Sequence, residues 1–205
     1  YTVYVAPGDE TLPFAALSPA ERDRALQLPG ISDRIRTLAR QLVPDSQPEP
    51  AAAAGAVLRH LRSSYRYTLE MRAGDRAPLD DFLFHVRAGH CEYFSTAMVV
   101  LLRAVGVPAR NVTGFVGGSF NPYGRYYSIR QGDAHSWVEV YLPHRGWTLY
   151  DPTPPAAASA APRDEGAMSA LRQMIDAVRL QWIKHVVSYD LGHQVRMFEG
   201  VAQWL

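Results

Sequence analysis

Cysteine occurs once among the 205 residues, at position 91, and the chain carries 7 histidines. A single cysteine forms no internal disulfide and builds no cysteine-rich zinc or iron–sulfur site, so any chemistry at Cys91 is that of a thiol. Most lone cysteines are small buried hydrophobes. The surroundings of this one argue for more. Cys91, Phe94, Met98, Leu101 and Val105 recur at helical spacing, which puts the thiol in the first turn of a helix with a buried stripe. There the helix dipole favours a thiolate, and the unpaired N–H of Cys91 offers half of an oxyanion hole. Gly89 and His90 lead into it and leave room for close approach to the backbone.

A thiol nucleophile needs a base within hydrogen-bond reach and a group that orients the base. His60 and His185 fall inside helical stretches, His144 in a turn, and His193 near the end of the sequence. His85 and His90 lie beside Cys91 along the chain rather than across a cleft from it. His135 instead opens a strand, Asp133-Ala134-His135-Ser136-Trp137-Val138-Glu139-Val140, on the sheet that the Cys91 helix is expected to cover. The following strand ends at Leu149-Tyr150-Asp151. A tight turn at 143–146 sets Asp151 opposite Val138, about 10 Å along the strand from His135, and a slightly longer loop sets the two directly opposite; the pair is feasible in either register. Cys91, His135 and Asp151 are therefore the candidate nucleophile, base and orienting acid. Metal chemistry is not expected: His85 and His90 are spaced wrongly for one helix face, and neither H-E-x-x-H nor a Gly-rich phosphate loop occurs. No cofactor is expected either. Asn111-Val112-Thr113 matches a glycosylation sequon but falls in a predicted buried strand.

The elements that must position these residues are legible in the patterning. Ser18-Pro19-Ala20-Glu21 has the form of a helix start. Ile31, Ile35, Leu38 and Leu42 mark a helix over about 32–43, and Ala54, Val57, Leu58, Leu61 and Tyr65 mark one over about 50–64. Gly106 and Pro108 stop the Cys91 helix. Strands are expected at Tyr1–Val5, Tyr65–Leu69, Ala109–Val116, Tyr126–Arg130, Ser136–Leu142 and Trp147–Tyr150. Helices followed by antiparallel strands imply an α+β fold. Pro44–Pro50 and the Pro/Ala-rich 152–163 read as linkers, dividing the chain into an N-terminal extension (1–47), a core (48–155) and a C-terminal part (156–205). That last part holds an amphipathic stripe from Leu171 to Tyr189 and a second from Val195 to Leu205.

Composition sets the outer limits. Hydrophobic content of 47% and charged content of 20% fit a packed globular protein. A net charge of +1 gives no field that would draw nucleic acid. No apolar run among the 205 residues reaches the roughly 18–20 of a spanning helix, and no signal-peptide pattern is read in them, which says nothing of where a parent protein resides. The first residue is Tyr1, so the chain is expected to be an excised piece of a longer protein.

Four blocks together carry a family resemblance. Gly89-His90-Cys91-Glu92-Tyr93-Phe94-Ser95, Gly106-Val107-Pro108-Ala109-Arg110, Asp133 through Val140, and Gly146-Trp147 with Asp151-Pro152-Thr153-Pro154 resemble the transglutaminase-like superfamily over roughly 50–155. The resemblance implies a papain-like core in which a Cys-bearing helix packs on an antiparallel sheet carrying His and Asp. It implies that a Cys91 thiolate attacks a glutamine carboxamide or peptide carbonyl, that His135 protonates the leaving amine, and that Asp151 holds the imidazolium. Tyr65 and Tyr67 are candidates for the second oxyanion donor, with strand packing the competing role for both. Glu92 and Arg110 are expected to support the site as a buried pair, and His90 and Trp137 to line its wall. Leu26-Gln27-Leu28-Pro29, Trp182, Tyr189-Asp190 and Gln194 resemble the extracytoplasmic domain of bacterial polytopic membrane transglutaminases. This implies a soluble periplasmic or extracytoplasmic domain of an inner-membrane protein. The expected partners are a protein or peptide substrate and, where transfer replaces hydrolysis, an amine. A cysteine protease or amidase with the same triad is the alternative enzyme, and a non-catalytic binding module the alternative without chemistry.

Overall fold

A computed structural model of the chain describes residues 16–70, 77–155 and 167–182. They form two compact units, residues 16–114 with 134–155 and residues 115–133 with 167–182. The expected strand at Tyr1–Val5, the end of the first C-terminal stripe and all of the second lie outside the described residues.

The larger unit opens with three helices whose starts follow from local chemistry. In α1 (Pro19–Leu26), the Ser18 hydroxyl accepts the Glu21 N–H while the Glu21 carboxylate accepts the Ser18 N–H, a reciprocal capping box. Ser32 caps α2 (Asp33–Leu42). The carboxylate of Glu49 accepts the N–H groups of Ala51 and Ala52 at the start of α3 (Pro50–Ser64). Next come β1 (Arg66–Tyr67), α4 (Pro78–Asp81), a π-helical turn over Phe82–Val86, β2 (Ala88–Gly89) and α5 (Cys91–Ala104). Arg87, at φ 50°, ends the π turn in the left-handed region. Gly106, at φ 80°, follows α5, as Gly106 and Pro108 led one to expect.

Helix α5 is the centre of the core. Its Phe94, Ala97, Met98, Leu101 and Leu102 are fully buried in one cluster with Ile35, Ala39 and Val43, with Ala54, Val57 and Leu61, and with Val138, Val140 and Leu142. The prolines of 44–50 therefore turn the chain within a single hydrophobic core. The residues before position 48 supply part of that core.

The sheet of this unit has the order β3 (Ala109–Phe115), β6 (Ala134–Leu142), β7 (Gly146–Tyr150). Along β6, Ser136, Val138, Val140 and Leu142 are buried, and the alternate residues are partly exposed. Helix α5 runs alongside β6 in the same direction. Ser95 meets Ser136 near the N-terminal ends of both, and the Pro108 carbonyl just beyond the helix accepts the Tyr141 N–H near the other end. Leu142 pairs with Gly146, so three residues close the hairpin, and His144 and Gly146 take positive φ. The expected turn was one residue tighter. It would have closed on Pro143, which has no N–H for the pair. The register therefore slips by one, and Tyr150 rather than Asp151 faces Val138.

In the smaller unit β4 (Ser119–Asn121) and β5 (Tyr126–Ser128) form an antiparallel hairpin beside α6 (Ala167–Trp182). Buried Asn121 ties them together, donating to the Gln173 carbonyl at 2.7 Å and accepting the N–H groups of Tyr123 and Gly124. Among the described residues no helix is long and apolar enough to cross a membrane.

Two packing details have measurable consequences. A Cβ built on Gly114 would lie 2.8 Å from Cη2 of Trp137, so Gly114→Ala is expected to cost about 1–3 kcal/mol by overpacking. An unchanged denaturant midpoint would show that the indole moves aside freely. His60 Nε2 lies 3.4 Å from the Tyr65 hydroxyl, and burial first, then Arg87, lowers the tendency of His60 to charge. Below about pH 6.5 the unfolded chain takes up a proton that folded His60 resists, so stability falls with falling pH until the folded imidazole also titrates. His60→Gln is expected to flatten that slope in denaturant midpoints measured across mildly acidic pH; an unaltered slope would uncouple His60 from stability.

Candidate active site

Cys91 is the first residue of α5 and is 9% exposed. His90, the residue before the helix, is extended and makes no side-chain bond to the first turn. The first N–H groups of α5, which have no intrahelical acceptor, are thus not capped from that side chain. The His90 ring stands edge-on to Tyr93 at 5.0 Å, and its Nδ1 is 4.0 Å from Glu92.

His135 is the second residue of β6, and its Nε2 lies 2.8 Å from Oδ2 of Asp151. Asp151 sits one residue beyond β7, and its other oxygen accepts the Thr153 N–H at 2.9 Å. Both carboxylate oxygens are therefore engaged. With Nε2 bonded to the acid, Nδ1 is the ring nitrogen available to a thiol. Trp137 stacks behind the imidazole at 6.3 Å and 24°, two residues along the same face of the strand. The slipped register shortens the stagger between His135 and Asp151 relative to expectation, which the observed bond exploits.

The thiol and the imidazole are placed by the packing of α5 on β6. Ser95, one turn into the helix, has its hydroxyl 2.7 Å from that of Ser136, the neighbour of His135. Because helix and strand run in the same direction, Cys91 and His135 occupy the same end of the pair. Ser136 also donates to Asn111 Oδ1 at 2.8 Å and Ser95 to the Glu92 carbonyl at 3.2 Å, so the hydroxyl pair is tied to both the sheet and the helix. Alternation puts His135 and Trp137 on the sheet face opposite Ser136. The imidazole is thus presented at the rim of the sheet, at the end where α5 begins.

The two tyrosines separate. Tyr65 is 4% exposed, stacks on Phe82 at 5.0 Å, and donates its hydroxyl to the Leu83 carbonyl at 3.1 Å. Tyr67 pairs with Gly89, two residues before Cys91, in the parallel β1–β2 ladder, and the Thr68 N–H bonds the Gly89 carbonyl at 2.9 Å. Burial pushes the Tyr67 phenol above its ordinary value, and negative charge on Cys91 pushes it the same way.

Glu92 and Arg110 do not pair with each other. Arg110 donates from Nε and Nη2 to one oxygen of Glu139, both at 2.6 Å, and its guanidinium lies 4.2 Å over the Trp147 ring. Glu92 points to solvent at 67% exposure. The reason is topological: Arg110 and Glu139 are neighbours across β3 and β6, whereas Glu92 belongs to the helix layer.

Several residues around the site escaped sequence reasoning. Arg62, at the end of α3, donates to the Asp151 main-chain carbonyl from Nε at 3.1 Å and Nη2 at 2.7 Å. No local pattern signals a contact between residues 89 apart. Ser136 did carry a signal, as the polar member of an otherwise apolar alternation. Among the described residues no group of three or more His, Cys, Asp and Glu side chains gathers as metal ligands.

Comparison with known proteins agrees with this arrangement. Residues 36–152 match the family described as the transglutaminase-like superfamily. The chain is 40% identical over 146 residues to a protein-glutamine gamma-glutamyltransferase of Pseudomonas aeruginosa, covering 70% of this chain and 22% of that protein. It is 38% identical over 159 residues to the uncharacterized protein YebA of Bacillus subtilis, covering 71% of this chain and 21% of the relative. The chain thus spans about a fifth of the length of these curated relatives. Among solved structures, the periplasmic domain of TgpA from Pseudomonas aeruginosa superposes with a TM-score of 0.61 at 41% identity, covering 67% of this chain and 48% of that one. Matched over more than half its length, with the Cys-bearing helix packed on the strand of His135, the chain belongs to the transglutaminase-like superfamily.

Proposed function

We propose that this chain is the catalytic domain of a transglutaminase-type acyltransferase that acts on glutamine carboxamides of proteins or peptides. The observation that carries the reading is the 2.8 Å bond from His135 Nε2 to Asp151, made at the end of β6 where Cys91 opens α5. Similarity to a protein named for γ-glutamyl transfer supports the same chemistry.

In this reading the Cys91 thiolate attacks the carboxamide carbon and a C–S bond forms. The carbonyl electrons move to oxygen, and the oxyanion takes the Cys91 N–H as its first donor. Tyr67 is the second donor, because the Tyr65 hydroxyl is already given to Leu83. As the tetrahedral species collapses, the C–N bond breaks and the imidazolium of His135 gives its proton to the departing ammonia. Asp151 holds the ring through Nε2 and stabilises its charged form. The thioester then meets an amine, whose proton passes to His135 as the C–N bond forms and the thiolate leaves. Water in place of the amine yields glutamate. Trp137 keeps the imidazole in plane, and His90 and Tyr93 border the nucleophile. Likeness to a periplasmic domain supports an extracytoplasmic site of action on protein or peptide substrates. The single lysine, Lys184, leaves these 205 residues almost without a side-chain amine donor for the thioester.

Incorporation of a fluorescent alkylamine into a glutamine-bearing protein is expected, with complete loss in Cys91→Ala and in His135→Ala. Retained incorporation in Cys91→Ala would end the nucleophile assignment, and cleaved peptides without incorporation would establish a hydrolase instead. Tyr67→Phe is expected to lower kcat about 100-fold, as removal of one oxyanion donor does. Tyr65→Phe should chiefly lower thermal stability; the reverse pattern would exchange the two assignments.

A further inference from the structure

We propose that Arg62 is a positioning residue for Asp151 and, through it, for the imidazole of His135; the proposal rests on Asp151 being the acid of the triad. Among the described residues strand β7 is the edge of its sheet, with no strand paired on its outer side. Just past its end the Asp151 carbonyl accepts two bonds from one guanidinium, Nε at 3.1 Å and Nη2 at 2.7 Å. Arg62 stands where another strand would have supplied a donor. The next residue, Pro152, has no N–H, and the chain leaves the sheet there.

The origin of the fork gives it a role in the site. Arg62 is in the last turn of α3, and Val57 and Leu61 of that helix are fully buried in the cluster that surrounds α5. The guanidinium therefore runs from the helix layer that carries Cys91 to the residue that orients His135. Two N–H groups on one carbonyl define direction as well as distance, which a lysine ammonium on its flexible stem does not. Thr153 holds one carboxylate oxygen of Asp151 and His135 takes the other, so Arg62 supplies the remaining fixed point, on the main chain. Release of that point lets the carboxylate swing relative to Nε2. The imidazole is then no longer held in a fixed orientation toward Cys91, and proton transfer from the thiol is impaired.

Alkylation by iodoacetamide reads the thiolate directly, since Cys91 is the only cysteine of the chain. The rate is to be followed from mildly acidic to alkaline pH for the unmodified protein, Arg62→Ala, Arg62→Lys, Asp151→Asn and the Arg62→Ala/Asp151→Asn double variant, with thermal melting alongside. Arg62→Ala should slow neutral-pH alkylation about 10-fold and move the acid limb of the profile to higher pH. Arg62→Lys should recover part of the rate. In the Asp151→Asn background Arg62→Ala should change nothing further, because the group it acts through is already disabled. An equal slowing in both backgrounds, or an unmoved profile in Arg62→Ala, would overturn the proposal. If Arg62→Ala does not fold, Arg62→Lys decides: a profile equal to that of the unmodified protein would overturn it. A profile that Asp151→Asn leaves unaltered would instead remove the triad assignment itself, an outcome distinguishable from failure at Arg62.

Discussion

Helix α5, which opens at Cys91, has its N-terminus held against the start of the strand that carries His135, and a buried hydroxyl pair marks that hold. Ser95 and Ser136 meet at 2.7 Å in an interface otherwise made of Phe94, Met98, Leu101, Val138 and Val140. A polar pair in such surroundings is tolerated because it is satisfied, with Asn111 Oδ1 accepting from Ser136 and the Glu92 carbonyl accepting from Ser95. It also sets the alignment of helix and strand. Sliding β6 by one residue would strand both hydroxyls among aliphatic neighbours and turn His135 to the other face of the sheet. The placement of Cys91 relative to His135 follows from this contact more than from any bond within the site itself.

Much of this was legible in the residues. The helical stripe from Cys91, the stop at Gly106 and Pro108, and the alternation of β6 each arise from one element, and local patterning reports one element at a time. The hairpin register was left open between a tight and a longer loop, and the observed pairing of Val138 with Tyr150 falls between them, because the effect of Pro143 on the closing pair decides it, not the presence of a turn. The separate surroundings of Tyr65 and Tyr67 depend on β1 and β2, two-residue strands too short to show periodicity. The partner of Arg110 was misjudged for a related reason. Sequence proximity to a family block says nothing about the layer in which a side chain ends up, and Arg110 and Glu139 share a sheet that Glu92 does not belong to. Arg62 lay beyond reach altogether, since its contact is set by the packing of α3 on the core.

The extent of the family match and the extent of the core agree. The matched region starts at position 36, inside α2, whose Ile35 and Ala39 are buried with the residues of α5. The prolines between α2 and α3 suggested a boundary by composition, yet the hydrophobic cluster runs across them. Composition reports where a chain can bend, whereas shared burial reports where a folding unit ends.

The three site residues differ in how much of the molecule must be assembled before they can act together. His135 and Asp151 belong to one hairpin closed by three residues, so their pairing requires only a local loop. Cys91 lies 44 positions earlier and gains its place only when α5 has docked on the finished sheet. The His135–Asp151 contact thus closes a short loop, whereas the place of Cys91 is set by a long-range contact, Ser95 to Ser136 across 41 positions, so the two halves of the site answer to different parts of the core.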